Sequence, residues 1–353
     1  MGVLAFRVEE EFLLLGPDGA VVPSAPFVSR LTRAEDNIRA AFLAYQLATA
    51  TPWCGGLDEL RDDLSGLRRL AADAARRAGA CLVPAGVPPF AAGPLAAVTD
   101  ETRYRAIAGR FPEAVPGGAT CACRVFVEVP SRDLAVEVLA RIRPWLPALL
   151  ALSVNSPYAG GRDTGWASYR HYLQQRWPTF QPPGAWRGAA AYDEVVQSLI
   201  DSGSALDEAG VYFLARLAPG EPATVEVRVA DTGLTVDDTV FFAEVVRGLV
   251  TGLISDARRN LSSAPIPTDL VDQQLTTAAH GELRVHGGTG AVARLMRQAG
   301  RYTDDAGAGW ERLRRLGTGA ARQRRAWVRY GTVEGFIGFL ANCAVPRRAG
   351  VFL

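Results

Sequence analysis

Residues 7–14 read Arg7-Val8-Glu9-Glu10-Glu11-Phe12-Leu13-Leu14, so three consecutive carboxylates stand inside an otherwise apolar run. The run predicts a buried β-strand. Because alternate residues of a strand point to opposite faces, Glu9 and Glu11 share one face with Arg7. Two carboxylates on a half-buried face repel each other unless a cation, a proton or an arginine compensates. The stretch therefore indicates a charged site on a sheet, and an edge strand with solvated charges is the plainer alternative.

The composition is that of a globular protein. The chain has 353 residues, of which 48% are hydrophobic and 21% charged, so it can bury a substantial core. We expect a single domain over residues 1–353, with a mostly helical C-terminal part from about residue 259. Arginine or proline interrupts each apolar run before the ~18 to 20 residues that cross a bilayer, and the first residues lack the layout of a signal peptide. These features favour a cytoplasmic protein without a membrane partner.

The type of basic residue limits the catalytic mechanisms that are open to this chain. All 38 are arginine and none is lysine. A Walker-type phosphate loop, a Schiff base and a lysine nucleophile are therefore excluded. Recognition of phosphate or carboxylate must use arginine forks, backbone amides or a metal ion. The net charge of +1 argues against nucleic acid as a partner, and five cysteines without Cys-x-x-Cys spacing argue against a disulfide framework or a structural zinc site.

Two further stretches alternate as sheet strands do. The first, residues 121–129, places Arg124 and Phe126 on one face. The second, TVEVRV, places Glu226 and Arg228 on one face against three valines on the other. Charged side chains on one face of several strands indicate a common site. On a largely antiparallel sheet, we expect one cavity to be lined by Glu9, Glu11, Arg124, Glu226 and Arg228.

Helical spacing and turn chemistry predict the other elements. Apolar residues recur with helical period over residues 57–78, and Thr235 with Asp238 forms a capping box that begins another helix. A short helix is predicted around residues 34–43. Residues 155–178 form a loop dense in glycine, arginine, tyrosine and tryptophan. A loop of this length inside a compact domain is more often functional than idle.

Several long motifs occur along the chain in a fixed order. They are V-E-E-E-F, T-P-x-C-x-x-L-x-E-L, R-P-W-L-P-x-L-L-A-L-S-x-N-S-P, G-R-D-T-G-x-A-S-Y-R, E-V-R-V-A-D and G-A-A-R-Q-R. Together they resemble the type-2 glutamate–cysteine ligase family of bacterial carboxylate–amine ligases over nearly the whole chain. The resemblance implies an α+β fold whose curved, mainly antiparallel sheet forms a half-barrel or funnel with helices packed outside, a catalytic architecture similar to glutamine synthetase and the guanido kinases.

The resemblance also implies an activity. Members of the family join a carboxylate, typically the γ-carboxyl of glutamate, to an amine through an acyl phosphate, with ATP and magnesium as cofactors. The partners would be small-molecule carboxylates and amines, and a homo-oligomer is left open. By the same resemblance, Glu9, Glu11 and Glu226 would be the magnesium ligands, since carboxylates are hard oxygen ligands suited to this ion.

Arginines would hold the nucleotide. By resemblance, Arg170 and Arg228 are the catalytic arginines at the transferring phosphate, and Arg176 and Tyr169 belong to the same nucleotide site. Arginine forks suit phosphate oxygens because they donate two parallel hydrogen bonds. For each arginine, a structural ion pair with an acid such as Asp163 or Asp231 is the alternative.

The chain departs from the family at the site. The family has a metal-binding glutamate where this chain has Ala48, and two histidines where it has Arg124 and Phe126. Arg7 replaces the usual glycine before the glutamates. These changes put magnesium binding in doubt, and they make Arg7, Arg124 and Phe126 candidate substrate-binding residues. An arginine can also pair with Glu9 or another glutamate and take the electrostatic role of a missing metal.

Three functions are therefore open. The first is an active ATP-dependent carboxylate–amine ligase with an altered metal site and altered substrates. The second is a non-catalytic homologue that acts as a binding or partner subunit. The third is an enzyme that uses the same pocket for another reaction.

Overall fold

The computed structural model describes residues 4–32, 37–90, 92–115, 119–220, 223–262, 266–282, 290–303 and 306–345. In these ranges the chain forms one seven-stranded sheet and one two-stranded sheet. The strands in chain order are β1 (Phe6–Leu15), β2 (Ile38–Ala40), β3 (Gln46–Ala50), β4 (Cys81–Val83), β5 (Ala122–Glu128), β6 (Tyr158–Ala159), β7 (Arg162–Asp163), β8 (Ala215–Leu217) and β9 (Thr224–Asp231).

The large sheet has the order β2-β3-β1-β5-β9-β8, and β4 pairs with the end of β1. Every neighbouring pair in it is antiparallel. The sheet is open, since β2 and β8 lie at its two edges. The predicted fold class, an α+β protein with a mainly antiparallel sheet and helices packed against it, is confirmed.

Thirteen α-helices accompany the sheet in the part of the chain that the structure describes. They are α1 (Ala25–Thr32), α2 (Leu57–Arg77), α3 (Thr102–Arg110), α4 (Arg132–Ile142), α5 (Leu146–Ser153), α6 (Tyr169–Gln174), α7 (Ala189–Asp201), α8 (Val236–Arg258), α9 (Thr268–His280), α10 (Ala291–Ala299), α11 (Ala306–Leu316), α12 (Gly319–Tyr330) and α13 (Val333–Ala344). None of these helices combines the length and the apolar character that a membrane-spanning segment needs.

Strand β1 has the predicted side-chain alternation. Its register with β5 sets Glu9 opposite Arg124, and Glu10 opposite Cys123. Glu9 and Glu11 therefore lie on one face of the sheet, while Val8 and Glu10 lie on the other. This alternation decides which carboxylates of β1 lie on the charged face and which lie against the helices.

The face of the sheet that carries Val8 packs into the hydrophobic core. Valines of β1, β5 and β9 pack there against α4, α5 and α8 in the largest apolar cluster. Val8, Val125 and Val227 have no exposed surface. Burying a valine side chain contributes about 1.5–3 kcal/mol, so this layer fixes the strands and, through them, the side chains on the opposite face.

A buried ion pair interrupts the apolar face. Glu10 accepts hydrogen bonds from Arg68 of α2, at 2.9 Å from Nε and 2.5 Å from one terminal nitrogen, and both side chains are 0% exposed. Thr239 of α8 donates to the same carboxylate at 2.6 Å. The pair thus joins β1 to two helices, and each charge stays buried only because the other neutralises it.

Most of the predicted elements are confirmed, and two predictions are wrong at least in part. Residues 155–178, predicted as one long loop, contain β6, β7 and α6. The long helix runs over Leu57–Arg77, and the capping box has Thr235 Oγ1 accepting from the Asp238 amide at 3.3 Å. The helix predicted around residues 34–43 is wrong for its described part, since β2 occupies Ile38–Ala40. Residues 33–36 lie outside the described ranges. Buried Ile38 and Ala40 flank exposed Arg39, which is the period of a strand.

We expect the substitution Arg68→Ala to lower the free energy of unfolding by about 3–5 kcal/mol, because Glu10 would remain buried without its charge partner. Urea unfolding at neutral pH measures this loss. The matched control is Arg76→Ala on the same helix, whose pair with Asp73 is exposed by 71% and 63%, so its removal should cost below about 1 kcal/mol. Equal losses in the two variants would contradict the expectation.

Candidate active site

Charged side chains gather on the sheet face opposite the apolar core. Cross-strand neighbours point to the same side of a sheet, and the register places two rows there. One row crosses β2, β3 and β1, and the other crosses β1, β5, β9 and β8. The first row is Arg39, Ala48 and Glu11, and the second is Arg7, Phe126, Glu226 and Arg216.

Arg124 lies between the three glutamates of this face. One terminal nitrogen donates to Glu11 at 2.7 Å, and the other is 3.4 Å from Glu9 and 4.0 Å from Glu226. Burial would lower the pKa of Arg124, but Glu11, Glu9 and Glu226 outweigh burial and raise it. The structure thus brings together Glu9, Glu11, Arg124 and Glu226, and the fifth residue predicted to share this site, Arg228, contacts Glu226 at 3.0 Å.

Glu9 is paired on both of its carboxylate oxygens. Arg7 donates to one at 2.8 Å, and Arg39 of β2 donates to the other at 3.1 Å. Burial raises the pKa of Glu9, but the charges of Arg124, Arg39 and Arg7 prevail and lower it to about 2. Glu9 is therefore held as a carboxylate.

Glu226 is held by two further arginines. Arg216 donates through Nε to one oxygen at 2.7 Å, and Arg228 donates to the other at 3.0 Å. Burial raises the pKa of Glu226, yet Arg216, Arg228 and Arg124 lower it on balance. Burial, aided by Arg216, lowers the pKa of Arg228 to about 10, although Glu226 opposes this. Arg228 remains protonated at neutral pH.

The carboxylates implied as magnesium ligands do not fit that role. Glu11 accepts from Arg124 at 2.7 Å and from the Ala122 amide at 3.0 Å, so every oxygen of Glu9, Glu11 and Glu226 accepts a hydrogen bond. Among the described ranges, no group of three or more His, Cys, Asp or Glu side chains could hold a metal ion. Magnesium needs oxygen ligands in near-octahedral geometry, which these pairs do not offer.

The position of Ala48 explains how Arg39 enters the site. Ala48 is the cross-strand partner of both Glu11 and Arg39, so its side chain lies between theirs on the same face. Because alanine is small, the Arg39 side chain crosses over it and reaches Glu9. The guanidinium group of Arg39 thereby lies beside residue 48, the position at which the family resemblance implies a carboxylate.

Arg7 and Phe126, two of the candidate substrate-binding residues, form a stack. The guanidinium carbon of Arg7 lies 3.8 Å from the centre of the Phe126 ring and 5.4 Å from that of Trp53. A cation over an aromatic face is attracted by the ring quadrupole. The stack and the hydrogen bond to Glu9 hold Arg7 in one orientation.

Arg170 reaches the site from α6 but uses its fork on the backbone. Its two terminal nitrogens donate to the carbonyl oxygens of Val229 and Arg228 at 3.2 and 3.1 Å, and Asp231 lies 3.7 Å away. A register shift between Cys123 and Val125 in the pairing of β5 with β9 occurs beside these carbonyls. These contacts make Arg170 a clamp between α6 and β9.

The remaining predicted residues lie in the same segment, residues 155–178. Tyr169 is half-buried and stacks on Tyr172, with ring centres 5.2 Å apart. Arg176 is exposed. Asp163 pairs with Arg324 of α12 at 2.7 and 2.9 Å, so β7 is tied to the C-terminal helices.

The sequence interpretation missed two site residues, Arg39 and Arg216. Arg39 fell inside the stretch that was predicted as a helix, although the apolar-charged-apolar order Ile38-Arg39-Ala40 was a signal for a strand. Arg216 lies in Ala215-Arg216-Leu217, where a charged residue stands between two apolar ones. That alternation was the available signal for a strand with Arg216 on its polar face.

The fold and the site define an α+β protein with an open antiparallel sheet and an arginine-rich sheet face. Two solved structures share the fold: a glutamate–cysteine ligase from Francisella tularensis in complex with AMP and a bifunctional glutathione synthetase from Pasteurella multocida. The first has a TM-score of 0.74 at 13% identity and covers 98% of this chain and 89% of that chain. The second has a TM-score of 0.71 at 15% identity and covers 96% and 52%.

The chain belongs to glutamate–cysteine ligase family 2, whose model matches residues 8–284. A protein of Rhodococcus jostii (strain RHA1), provisionally named glutamate–cysteine ligase 2-1, is 34% identical over 96% of both chains. A protein of Salinispora tropica, provisionally named glutamate–cysteine ligase 2, is 39% identical over 94% of this chain and 92% of its own. The resemblance in the sequence motifs is thus confirmed.

We expect the ion pairs of Glu9 to make the free energy of unfolding depend on pH in the acid range. The pKa of Glu9 is about 2 in the folded chain against an ordinary 4.5, so its stabilisation is present above pH 4.5 and is lost as the pH falls toward 2. Between pH 7 and pH 3 the wild type should therefore lose on the order of 2 kcal/mol more stability than Glu9→Gln. Urea unfolding at the two pH values measures the difference, and parallel losses would contradict it.

Proposed function

We propose that this protein is an ATP-dependent carboxylate–amine ligase that forms an amide bond of the γ-glutamyl type, with an altered carboxylate substrate and an altered metal site. The observation that carries the proposal is the set of five arginines around three glutamates on one sheet face. Family membership supports the reaction class. The AMP complex of the F. tularensis ligase, which has the same fold, supports a nucleotide substrate.

The reaction would proceed in two steps. A carboxylate oxygen attacks the γ-phosphorus of ATP, ADP leaves, and an acyl phosphate forms. The amine nitrogen then attacks the acyl carbon, the amide bond forms, and phosphate leaves as the nitrogen loses a proton. Negative charge shifts between phosphate oxygens in both steps, and fixed guanidinium groups in a partly buried site stabilise such charge without reorganising.

Arg228 has the best position among the candidate catalytic arginines. Its side chain is 12% exposed, contacts Glu226 through one terminal nitrogen and lies 5.2 Å from the centre of the Tyr212 ring. Arg228 and Arg124 both approach Glu226, so the two side chains lie on the same face of the sheet. Arg170 then holds α6 against β9 rather than touching the phosphate.

We expect Arg228→Lys to lower turnover about ten- to hundredfold, because lysine keeps the charge but lacks the fork, and a charged hydrogen bond contributes about 1.5–3 kcal/mol. ADP release with a panel of carboxylates and amines measures turnover, and thermal unfolding tests whether the fold is kept. The control is Arg76→Lys, at an exposed position on α2. Full turnover in Arg228→Lys would remove Arg228 from the reaction.

A non-catalytic homologue that serves as a binding or partner subunit is the second candidate. The specific observation in its favour is that all carboxylate oxygens implied as metal ligands are engaged by arginines or a backbone amide. The two candidates differ in one result. A ligase releases ADP and an amide product that mass spectrometry detects, with or without added magnesium. If no pair of substrates gives either product, the second candidate replaces the first.

A further inference from the structure

The charge balance of the arginine-rich face is the opposite of that of a cation site. Five guanidinium groups, those of Arg7, Arg39, Arg124, Arg216 and Arg228, surround the carboxylates of Glu9, Glu11 and Glu226, which leaves two positive charges in excess. Charges in a partly buried site interact more strongly than in bulk water. The face therefore repels a divalent cation and attracts an anion.

The hydrogen bonds show a surplus of donors in the same place. Each guanidinium carries five N–H groups, whereas a carboxylate offers about four acceptor sites. Nε of Arg124 is buried and has no hydrogen-bond partner among the described residues. Arg39 is 46% exposed at its side chain, so its N–H groups remain accessible from solvent. A buried donor without an acceptor is costly, and an incoming oxyanion supplies acceptors.

The ion pair of Arg216 with Glu226 is also supported by further contacts, with which a metal ion would have to compete. Arg216 donates to the carbonyl oxygens of Glu208, Ala209 and Val211 in addition to Glu226, so it is fixed at its position. To coordinate two carboxylates, magnesium would have to displace several guanidinium groups and keep its own charge beside them.

We propose that this face binds the phosphate end of a nucleoside triphosphate without a divalent cation, with phosphate oxygens entering between Arg39, Arg124 and Arg228. This inference deepens the function proposed above and rests on it for the choice of nucleotide. Magnesium then weakens binding, since chelation removes two negative charges from a ligand that meets two excess positive charges. The arginines take the place that metal ions hold in other nucleotide sites.

Calorimetry with the intact protein tests the inference. The probes are ATP and inorganic tripolyphosphate, each titrated once in EDTA and once in excess magnesium chloride. Binding in EDTA should be at least about tenfold tighter than in magnesium. Arg39→Ala should weaken binding of both probes in EDTA about tenfold, whereas Arg76→Ala, which removes the same charge from an exposed pair on α2, should leave it unchanged.

A converse variant tests the role of residue 48. Ala48→Glu combined with Arg39→Ala would set a carboxylate opposite Glu11 and remove the cation that crosses it. Magnesium should then strengthen rather than weaken ATP binding. Thermal unfolding first establishes that this variant folds, and the single Arg39→Ala variant tests the inference independently.

The outcomes separate this inference from the ligase proposal. Tighter ATP binding in magnesium than in EDTA would overturn metal-free binding and leave the ligase intact. Tight binding in EDTA without amide formation would support metal-free binding and end the ligase proposal. Binding of neither probe in EDTA would overturn the inference. Binding of tripolyphosphate that Arg39→Ala does not change would also overturn it, because the phosphates would then lie elsewhere.

Discussion

Arg124 is the residue on which the candidate site depends. It stands on the central strand β5 and faces Glu9, Glu11 and Glu226 at 3.4, 2.7 and 4.0 Å. Three carboxylates on one half-buried face cannot remain ionised without positive charge nearby. Arg124 meets this requirement at the centre, and the other arginines meet it at the edges. The order of charges across the sheet follows from this constraint.

Because side chains alternate along strand β1, its two faces serve two purposes. Glu9 and Glu11 form part of the charged face, whereas Glu10 pairs with Arg68 of α2 on the apolar face. The buried pair and the valine layer hold the strand, so the carboxylates on the other face have fixed positions. A site on rigid strands is held more accurately than a site on a loop. Residues 155–178 are nevertheless tied in, since Arg170 clamps α6 to the carbonyl oxygens of β9.

The match to the family and the departures from the family resemblance concern different parts of this chain. The family model spans residues 8–284, and relatives match over more than nine-tenths of the chain. The residues in which the chain departs from the family resemblance lie at the charged face, where Ala48 makes room for Arg39 and Arg7 stacks on Phe126. With five arginines around three glutamates, this face carries more positive than negative charge. Family membership therefore supports a carboxylate–amine ligase, and the arginines determine the charge that a ligand meets on this face.

The sequence by itself determined the strand β1, its alternation, the long helix over Leu57–Arg77 and the face that carries Glu9, Arg124 and Glu226. These features are local, because the period of the apolar residues already encodes them. Only the tertiary structure decided the short strand β2, which three residues form by pairing with β3, and with it the entry of Arg39. It also decided that Arg170 binds backbone carbonyls and that each glutamate oxygen has a donor. The contacts of Arg39, Arg124 and Arg170 join residues far apart in the chain, so no local pattern records them; they exist because the packed sheet brings charges together that must then be neutralised.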